Sequence, residues 1–374
     1  MKRIKVLFLI HDLGGGGAEK VLVNLVNHMD KKIFDIHVTA LFGGGINRAY
    51  LSDDVTYRHV WPKSFPGNSR ALRQLPAGVL HHFCVKEKYD IEIAYLEDIC
   101  AKVISGCETP DTKTICWVHT DLLSQKIAAR GFRSISESQK AFKQFDMIVC
   151  VSKTVKADFT KWYPEVTEPS VLYNTLESEK ILQMKDEKVP EGLFNCDEIK
   201  LAFVGKINKQ KGIDKIVNIT RRLISEGYKV HLYILGDGPE RPNVEKFIED
   251  NQIQNSVTIL GYQDNPYKYV SRCNLFVCAS LWEGFSTAAT EALIVGTPVC
   301  TVEVSGMKEM LGENNEYGVV KENTEDALYE GIKTLLNDPE LLDYYKLQAI
   351  ERGKVFSTEN TVREVEELLM RKDK

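Results

Sequence analysis

A chain of 374 residues is longer than one hydrophobic core usually supports, so two domains are expected. Hydrophobic residues account for 43% of the sequence and charged residues for 27%, which excludes wholesale disorder and a membrane-embedded body. With a formal net charge of −5, no nucleic-acid partner is expected.

The N-terminal segment is only superficially like a secretory signal. Its apolar run, residues 6–10, ends after five residues, whereas a signal core needs roughly 7 to 15. None of the nine cysteines belongs to a C-x-x-C pair, and most lie in apolar runs, which is typical of buried thiols in a reducing compartment. We therefore expect a cytoplasmic protein, with contact to the inner face of the cell membrane left open.

Short apolar runs alternate with helical patterns through the first part of the chain. A helix is predicted over residues 18–29, where apolar side chains recur at helical spacing. Strands that alternate with helices indicate βαβ units and a parallel sheet. The predicted strands are residues 4–10, 36–42, 91–96, 114–118 and 147–151.

Four consecutive glycines, residues 14–17, separate the first predicted strand from the helix that follows. Glycine lets backbone N–H groups approach a ligand closely, and the positive end of the helix favours an anion. The spacing is neither the G-x-G-x-x-G of dinucleotide-binding folds nor the G-x-x-x-x-G-K-[ST] of P-loops. The loop therefore predicts an anion site of another kind, with a flexible turn as the alternative.

The alternation lapses over residues 177–197, which are polar and charged, and then restarts. We interpret this stretch as the approach to a second domain. The pattern is helical from residue 324 onward, and the last helix, near residues 360–370, is expected to return to the first domain. The second set of predicted elements comprises strands at residues 200–204, 230–235, 257–260, 275–278 and 298–302 and helices at 214–226, 244–251 and 286–295.

These patterns predict an α/β protein with two Rossmann-like parallel-sheet domains that face each other across a cleft. The predicted boundaries are residues 1–176 plus about 355–374 for the first domain and 177–354 for the second. Open parallel sheets bind ligands beyond the carboxyl ends of their strands, where the strand order reverses. The loops at those ends are therefore the expected place for chemistry.

A lysine-rich loop follows the first predicted strand of the second domain. Gly205, Lys206 and Lys211 lie between that strand and the next helix. At a strand end that faces a cleft, lysines beside a helix N-terminus favour a bound diphosphate. The alternative is a solvated turn.

Two glutamates accompany the strand at residues 275–278. Glu283 lies in the loop after the strand, and Glu291 lies eight positions further on, in the following helix. Carboxylates beside a phosphate site indicate bound hydroxyl groups, such as those of a sugar and a ribose. The backbone N–H groups that suit a phosphate at the start of this helix belong to Phe285, Ser286 and Thr287.

The spacing of Glu283 and Glu291 resembles the E-x7-E signature of retaining glycosyltransferase family 4, which has the GT-B fold. Residues 205–212 resemble its G-[RK]-x4-K-G phosphate motif, and residues 14–19 resemble its N-terminal glycine loop. The motifs follow the family order from residue 5 to about 310. The resemblance implies sugar transfer from a nucleotide donor, in a setting such as bacterial capsule or exopolysaccharide assembly.

The resemblance also implies roles around the donor diphosphate. Lys206 and Lys211 would hold it and stabilise its departure, within the motif that Gly205 begins. Gly15 and Gly16 would close on the diphosphate from the first domain. Many relatives have arginine where Lys206 stands, and lysine keeps the charge but loses the bidentate fork.

Further roles follow for the sugar and the ribose. Glu291 would accept hydrogen bonds from the ribose hydroxyls, and Glu283 would contact the transferred sugar. The backbone of residues 285–287 would touch donor hydroxyls or phosphate. The segment at residues 116–121 resembles the one whose histidine contacts the sugar, so His119 is expected in that role, with a histidine satisfied in the core as the alternative.

No metal site is expected. The Asp-x-Asp of metal-dependent glycosyltransferases is absent from the predicted strand ends, and the pair His81 and His82 has no metal-like spacing. Cationic side chains and helix dipoles would then do what a metal does elsewhere. The nucleotide sugar is expected as a substrate, and no cofactor is expected.

Residues 68–88 interleave basic and apolar side chains. A helix of this kind could rest on an anionic membrane or guide a polyprenyl-phosphate acceptor. The alternative is a core helix with a basic outer face. Pro76 and Gly78 are expected to interrupt it.

The sequence thus predicts a retaining glycosyltransferase that moves a sugar from a nucleotide diphosphate sugar, with UDP favoured, to a hydroxyl of a glycan or polyprenyl-diphosphate-linked acceptor. One alternative is a sugar-nucleotide epimerase of the same fold, and another is a non-catalytic sugar-nucleotide-binding protein. Retention rests on the resemblance alone. If the reaction inverts the anomeric centre, Asp12 or Asp98 would become candidate bases.

Overall fold

The computed structural model describes residues 2–64, 67–194 and 197–371. The chain forms two compact units. The first comprises the residues up to Leu176 and the C-terminal segment from Thr358, and the second comprises Glu177–Ser357. The prediction of two Rossmann-like parallel sheets, with the last helix returning to the first unit, is confirmed.

The strands of the first unit are β1 (Ile4–Ile10), β2 (Phe34–Phe42), β3 (Thr56–Trp61), β4 (Ile91–Ala94), β5 (Lys113–Val118), β6 (Met147–Cys150) and β7 (Ser170–Val171). They form a parallel sheet in the order β3-β2-β1-β4-β5-β6-β7. The order reverses between β1 and β4. Both strands are largely buried, as expected where helices cover the two faces of a parallel sheet.

The helices of the first unit are α1 (Gly17–His28), α2 (Asn68–Leu72), α3 (Ala77–Cys84), α4 (Ile99–Ile104), α5 (Gln125–Ala128), α6 (Ile135–Phe142), α7 (Lys153–Trp162) and the C-terminal helix (Thr358–Met370). Serine hydroxyls cap α5, α6 and α7 at their N-termini. Hydrogen bonds join the C-terminal helix to other parts of the first unit. Thr358 donates to the carbonyl oxygen of Leu176 at 2.8 Å, and Glu366 accepts the backbone N–H of Asp30 at 2.6 Å.

The strands of the second unit are β8 (Ile199–Val204), β9 (Val230–Leu235), β10 (Val257–Gly261), β11 (Leu275–Cys278), β12 (Val299–Val302) and β13 (Val319–Lys321). They form a parallel sheet in the order β10-β9-β8-β11-β12-β13. The order reverses between β8 and β11. This is the doubly wound arrangement that binds ligands at the reversal point.

The helices of the second unit are α8 (Ser178–Met184), α9 (Ile213–Ser225), α10 (Arg241–Asp250), α11 (Tyr267–Val270), α12 (Thr287–Val295), α13 (Met307–Leu311), α14 (Glu325–Asn337) and α15 (Pro339–Val355). In α9 the buried residues Ile216, Val217 and Leu223 share one face and pack into the core beside the sheet. By contrast, α12 is buried on all sides from Ala289 to Val295. Helix α12 is therefore a fixed support for whatever its N-terminus binds.

Three strands were not predicted, and each lies at an edge of its sheet: β3 and β7 in the first unit and β13 in the second. Edge strands are covered on fewer sides, so their hydrophobic signal is weak. The predicted interruption of the helix at residues 68–88 is present, because α2 ends before Pro76 and α3 begins after it. Among the helices of the described residues, none has the length and apolar character needed to cross a bilayer.

Candidate functional site

In the second unit, the loops after β8 and β11 flank the reversal point of the sheet. The two strands are neighbours, with Leu201 opposite Leu275. The loop after β8 carries Lys206 and Lys211, and the loop after β11 carries Glu283. The fold therefore brings the predicted lysines and the first predicted glutamate to one edge of the sheet, where an open parallel sheet binds its ligand.

Short-range contacts hold the loop after β8. Asn208 accepts the backbone N–H of Lys211 on its Oδ1 at 3.0 Å, which supports a turn of 3-10 helix over Lys209–Lys211. Gly212 follows in a left-handed conformation with φ 64°, and a Cβ there would lie 2.1 Å from the carbonyl oxygen of Ala279. Glycine is thus required at this position, and its conformation fixes the backbone from which the Lys211 side chain extends.

Lys211 forms an ion pair with Glu283 across the two loops. Its Nζ lies 2.5 Å from Oε1 of Glu283, and Ser280 Oγ donates to the same oxygen at 2.8 Å. The Lys211 side chain is 27% exposed and the Glu283 side chain 10% exposed. The pair therefore holds a cation and an acceptor together in a place that a ligand can reach.

Gly205 and Lys206 lie directly after β8. A Cβ on Gly205 would lie 3.8 Å from Cγ of Lys211, so the Gly205 backbone runs beside the stem of that lysine. Lys206 is exposed. A second positive charge thus belongs to the same short loop as the Lys211–Glu283 pair.

Glu291 lies in α12 and is buried, with 9% of its surface exposed. Its Oε1 accepts a hydrogen bond from the hydroxyl of Tyr267 at 3.1 Å. A buried carboxylate needs such donors, because desolvation without them is costly. Tyr267 therefore sets the direction of the Glu291 carboxylate.

The side chains of Phe285 and Ser286 have structural roles, in packing and in helix capping. Phe285 packs against Phe356, with ring centroids 5.7 Å apart. The Ser286 hydroxyl caps α12 by accepting the backbone N–H of Ala289 at 3.4 Å. Thr287 is the first residue of the helix. A ligand contact through the backbone N–H groups of this segment, which the resemblance implies, stays a prediction.

In the first unit, the glycine loop after β1 leaves Gly15 and Gly16 exposed at the start of α1. Asp12 accepts the backbone N–H of Gly14 at 2.7 Å and bonds His11 Nδ1 at 2.8 Å. The hydrogen bond to Asp12 raises the pKa of His11 above its ordinary value. A Cβ on Gly16 would collide with the Glu19 carboxylate, which lies over the helix N-terminus.

His119 follows β5 and is held by a buried carboxylate. Glu97 has no exposed surface and accepts the backbone N–H of His119 at 3.1 Å. It also bonds the hydroxyl of Thr120 and lies 2.5 Å from Nη2 of Arg130. Burial raises the pKa of Glu97, but Arg130 and the hydrogen bonds outweigh this effect and hold the pKa below its ordinary value. Glu97 is therefore a charged positioning residue.

The imidazole of His119 is itself buried and packs at 4.7 Å from the ring of Tyr95. Burial lowers its pKa to about 4. His119 is therefore a neutral imidazole near pH 7, and its Nε2 is a buried polar atom without a partner among the described residues.

The structure brings Gly205, Lys211 and Glu283 into one group and gives Glu291 a defined orientation. Sequence reasoning missed four residues that hold the predicted site residues in place. Ser280 and Tyr267 contact Glu283 and Glu291, and Glu97, paired with Arg130, holds the backbone of His119. Glu97 directly follows a predicted strand. Because open parallel sheets bind ligands beyond the carboxyl ends of their strands, its position could have identified it. The remaining three, Ser280, Tyr267 and Arg130, become visible only when distant segments are folded together. The roles assigned to the site residues stay predictions.

Two family models match the chain. The model described as Glycosyltransferase Family 4 matches residues 15–180. The model described as Glycosyl transferases group 1 matches residues 184–352. The two ranges follow one another along the chain and fall largely within the first and second units, respectively.

The chain is also similar to proteins with named activities and to solved structures. N-acetylgalactosamine-N,N'-diacetylbacillosaminyl-diphospho-undecaprenol 4-alpha-N-acetylgalactosaminyltransferase of Campylobacter jejuni is 27% identical, over 98% of this chain and 99% of its own length. Capsular polysaccharide biosynthesis glycosyltransferase CapM of Staphylococcus aureus is 27% identical over 45% of each chain. Among solved structures, Anabaena Alr3699/HepE in complex with UDP is similar in fold, with a TM-score of 0.77 and 16% identity over 98% of this chain and 99% of that one.

Proposed function

This chain belongs to the family-4 glycosyltransferases of the GT-B type, and we propose that it transfers a sugar from a UDP-sugar to a hydroxyl of a glycan or polyprenyl-diphosphate-linked acceptor, with retention of the anomeric configuration. The observation that carries the proposal is the Lys211–Glu283 pair at the reversal point of the second sheet. It offers a cation for a diphosphate and a carboxylate for sugar hydroxyls within one contact. The family assignment does not favour the epimerase or the non-catalytic binding protein.

The donor diphosphate would be bound by Lys206, Lys211 and the N-terminus of α12. Each donates hydrogen bonds to phosphate oxygens, and the lysines supply the opposite charge. As the bond between the sugar and the diphosphate breaks, negative charge grows on the departing oxygen. Preorganised cations stabilise that charge more than they stabilise the bound donor, so they accelerate the step. We expect this electrostatic work to need no metal ion.

Carboxylates would bind the hydroxyl groups of the transferred sugar and of the ribose. Glu283 accepts from hydroxyls of the transferred sugar, and Glu291, oriented by Tyr267, accepts from the ribose. His119 would contribute a neutral nitrogen to the sugar, a role that the family resemblance implies. UDP is favoured as the carrier because the similar Anabaena Alr3699/HepE structure contains UDP. The Campylobacter relative is named for a diphospho-undecaprenol acceptor, which supports a lipid-linked acceptor here.

Retention requires the acceptor hydroxyl to arrive on the face from which the diphosphate leaves. The acceptor oxygen bonds to the anomeric carbon, the bond to the diphosphate breaks, and the acceptor proton passes to the departing phosphate oxygen. Proton NMR of the anomeric coupling in the product tests this directly. The same configuration as the donor is expected, whereas inversion would overturn it and direct attention to Asp12 and Asp98 as bases.

The donor is testable with a panel of sugar nucleotides, screened first by thermal shift and then by turnover with and without acceptor. We expect one UDP-sugar to be transferred, and to be hydrolysed only slowly when the acceptor is absent. Epimerisation of the donor without acceptor would indicate the epimerase instead. Tight donor binding with no turnover under any condition would indicate a binding protein.

A membrane-facing surface would suit a lipid-linked acceptor. Around α3 the apolar side chains of Leu75, Val79 and Phe83 are each more than 40% exposed. Lys86 lies 4.9 Å from the centre of the Phe83 ring, and Arg70 is exposed nearby in the sequence. Apolar side chains flanked by cations favour the interface of an anionic bilayer. We propose that this surface contacts the inner face of the cell membrane.

Vesicle sedimentation tests this contact. Combined Arg70→Gln and Lys86→Gln substitutions should weaken binding to vesicles that contain anionic lipid by at least tenfold, because each cation near such a surface contributes roughly 1 kcal/mol. Lys32→Gln, at an exposed lysine elsewhere in the first unit, is the matched control. Equal vesicle binding by the wild type and both variants would show that this surface does not contact the membrane.

A further inference from the structure

A second chemical cluster lies in the first unit and involves none of the residues assigned to sugar transfer. It consists of His81, Glu92 and Cys107, whose Nε2, carboxylate oxygen and Sγ atoms lie within 4.8 Å of one another. Among the described residues it is the only group of three or more histidine, cysteine or acidic side chains close enough to share an ion. We propose that these three residues bind one zinc ion.

The three side chains come from three well-fixed segments. His81 lies on α3, Glu92 on β4 in the middle of the sheet, and Cys107 just after α4. The loop before Cys107 packs tightly against α3, because a Cβ on Gly106 would lie 2.3 Å from the carbonyl of Ala77. The backbones that carry the ligands are therefore already in place, which a specific metal site requires.

The chemistry of the ligands selects zinc. Imidazole nitrogen, thiolate sulfur and carboxylate oxygen are its usual protein ligands, whereas Mg²⁺ and Ca²⁺ prefer oxygen alone. Glu92 is 1% exposed and pairs with His81, which directs its carboxylate toward the other two side chains of the cluster. Cys107 is partly exposed, whereas the other described cysteines are buried. It is thus the described thiol most accessible to a metal ion.

The geometry leaves room for a fourth ligand. His81 and Glu92 line a cavity of about 800 Å³ between α3 and the segment after α4, through which an ion and a water molecule can enter. His81 Nε2 and Glu92 Oε2 are 2.7 Å apart, as in a hydrogen bond. Tetrahedral zinc, with bonds of about 2.1 Å, would separate them to roughly 3.4 Å. A small rotation of either side chain achieves this, and the zinc would then tie α3 to the sheet.

Cobalt substitution tests the site on the full-length protein. The protein is stripped with a chelator, dialysed and titrated with Co²⁺, and the thiolate-to-cobalt charge-transfer band is recorded, since only a cysteine ligand produces it. The band should appear at one equivalent in the wild type and in His82→Ala, which alters the exposed neighbour on the same helix. It should be absent in Cys107→Ser, and zinc affinity should fall at least tenfold in His81→Ala.

Absence of the band in the wild type, which needs no substitution to be observed, would overturn the proposal. So would equal zinc affinity in the wild type and His81→Ala, measured by competition with a chromophoric chelator. Zinc should also raise the unfolding midpoint of the wild type by several degrees and leave that of Cys107→Ser unchanged. Circular dichroism of each variant verifies that it is folded before its affinity is compared.

Discussion

The two units place acidic residues at equivalent points of their sheets and use them differently. In the first unit Glu97 follows β4, the neighbour of β1 at the reversal point, and is wholly buried between Arg130 and the His119 backbone. In the second unit Glu283 follows β11, the neighbour of β8, and its partner Lys211 is 27% exposed. The same topology thus yields a buried charge that positions a neighbour and an accessible charge pair that can bind a ligand.

The largest effect is expected from removing the accessible cation, Lys211. Lys211→Ala should lower kcat by roughly 10²- to 10³-fold with the fold intact, because it removes a preorganised donor to the departing diphosphate. Lys209→Ala, at an exposed lysine in the same 3-10 turn, is the control and should stay within about threefold of the wild type. Steady-state turnover with the cognate UDP-sugar measures both. Equal losses of kcat in the two variants would show that Lys211 has no specific role beyond the general positive charge of the loop.

The buried carboxylate should instead show its effect in stability. Glu97→Gln leaves Arg130, whose side chain is 38% exposed, without its partner charge and weakens the buried hydrogen bonds at this position, so it should destabilise the protein by roughly 1 to 3 kcal/mol. Glu165→Gln breaks the exposed Lys143–Glu165 pair and should change stability little. Urea unfolding of the two variants distinguishes them. A Glu97→Gln protein as stable as the wild type would mean that the buried pair is not structural.

A smaller effect is expected at the ribose contact. Tyr267→Phe removes the hydrogen bond to Glu291 and should raise the donor KM about 3- to 10-fold with little change in kcat, since one hydrogen bond contributes roughly 1 kcal/mol. Tyr344→Phe, at an exposed tyrosine on α15, should leave the KM unchanged. A fall in kcat at constant KM would place Tyr267 in the chemical step instead.

The smallest effect concerns pH. The folded pKa of His119 lies near 4, below the ordinary 6.5, so the folded state favours the neutral imidazole. The stability that this contributes is present above pH 6.5 and is lost as the pH falls through 4. His119→Gln should therefore flatten the fall in unfolding free energy between pH 6.5 and 4. Identical pH profiles for variant and wild type would show that His119 is more exposed to water than its burial indicates.

Much of the fold could be predicted from the sequence, for reasons that differ along the chain. Strands β1, β9 and β11 are buried and apolar, so their bounds matched the predicted runs. Strand β3 is an edge strand in which no residue is fully buried, and β13 has three residues, too few for a periodic signal. A continuous apolar run indicates a strand that is buried on both faces, and β3 is too exposed and β13 too short to show one.

The site was predictable where its residues share a motif and not where distant segments meet. Lys211 and Glu283 were found because each lies at a strand end in a recognisable spacing, although their direct contact is a property of the fold. Arg130 was missed because it reaches Glu97 across 33 positions. The same reason applies to His81, whose nearest potential metal ligands, Glu92 and Cys107, lie in other elements.

The most direct test of the central claim measures recognition of the diphosphate itself. The affinities for UDP and for uridine are compared in the wild type, Lys206→Ala, Lys211→Ala and the control Lys209→Ala. If Lys206 and Lys211 bind the diphosphate, each of their variants should lose at least tenfold in UDP affinity and bind uridine as the wild type does. A ratio of UDP to uridine affinity that stays at the wild-type value in both variants would contradict the account.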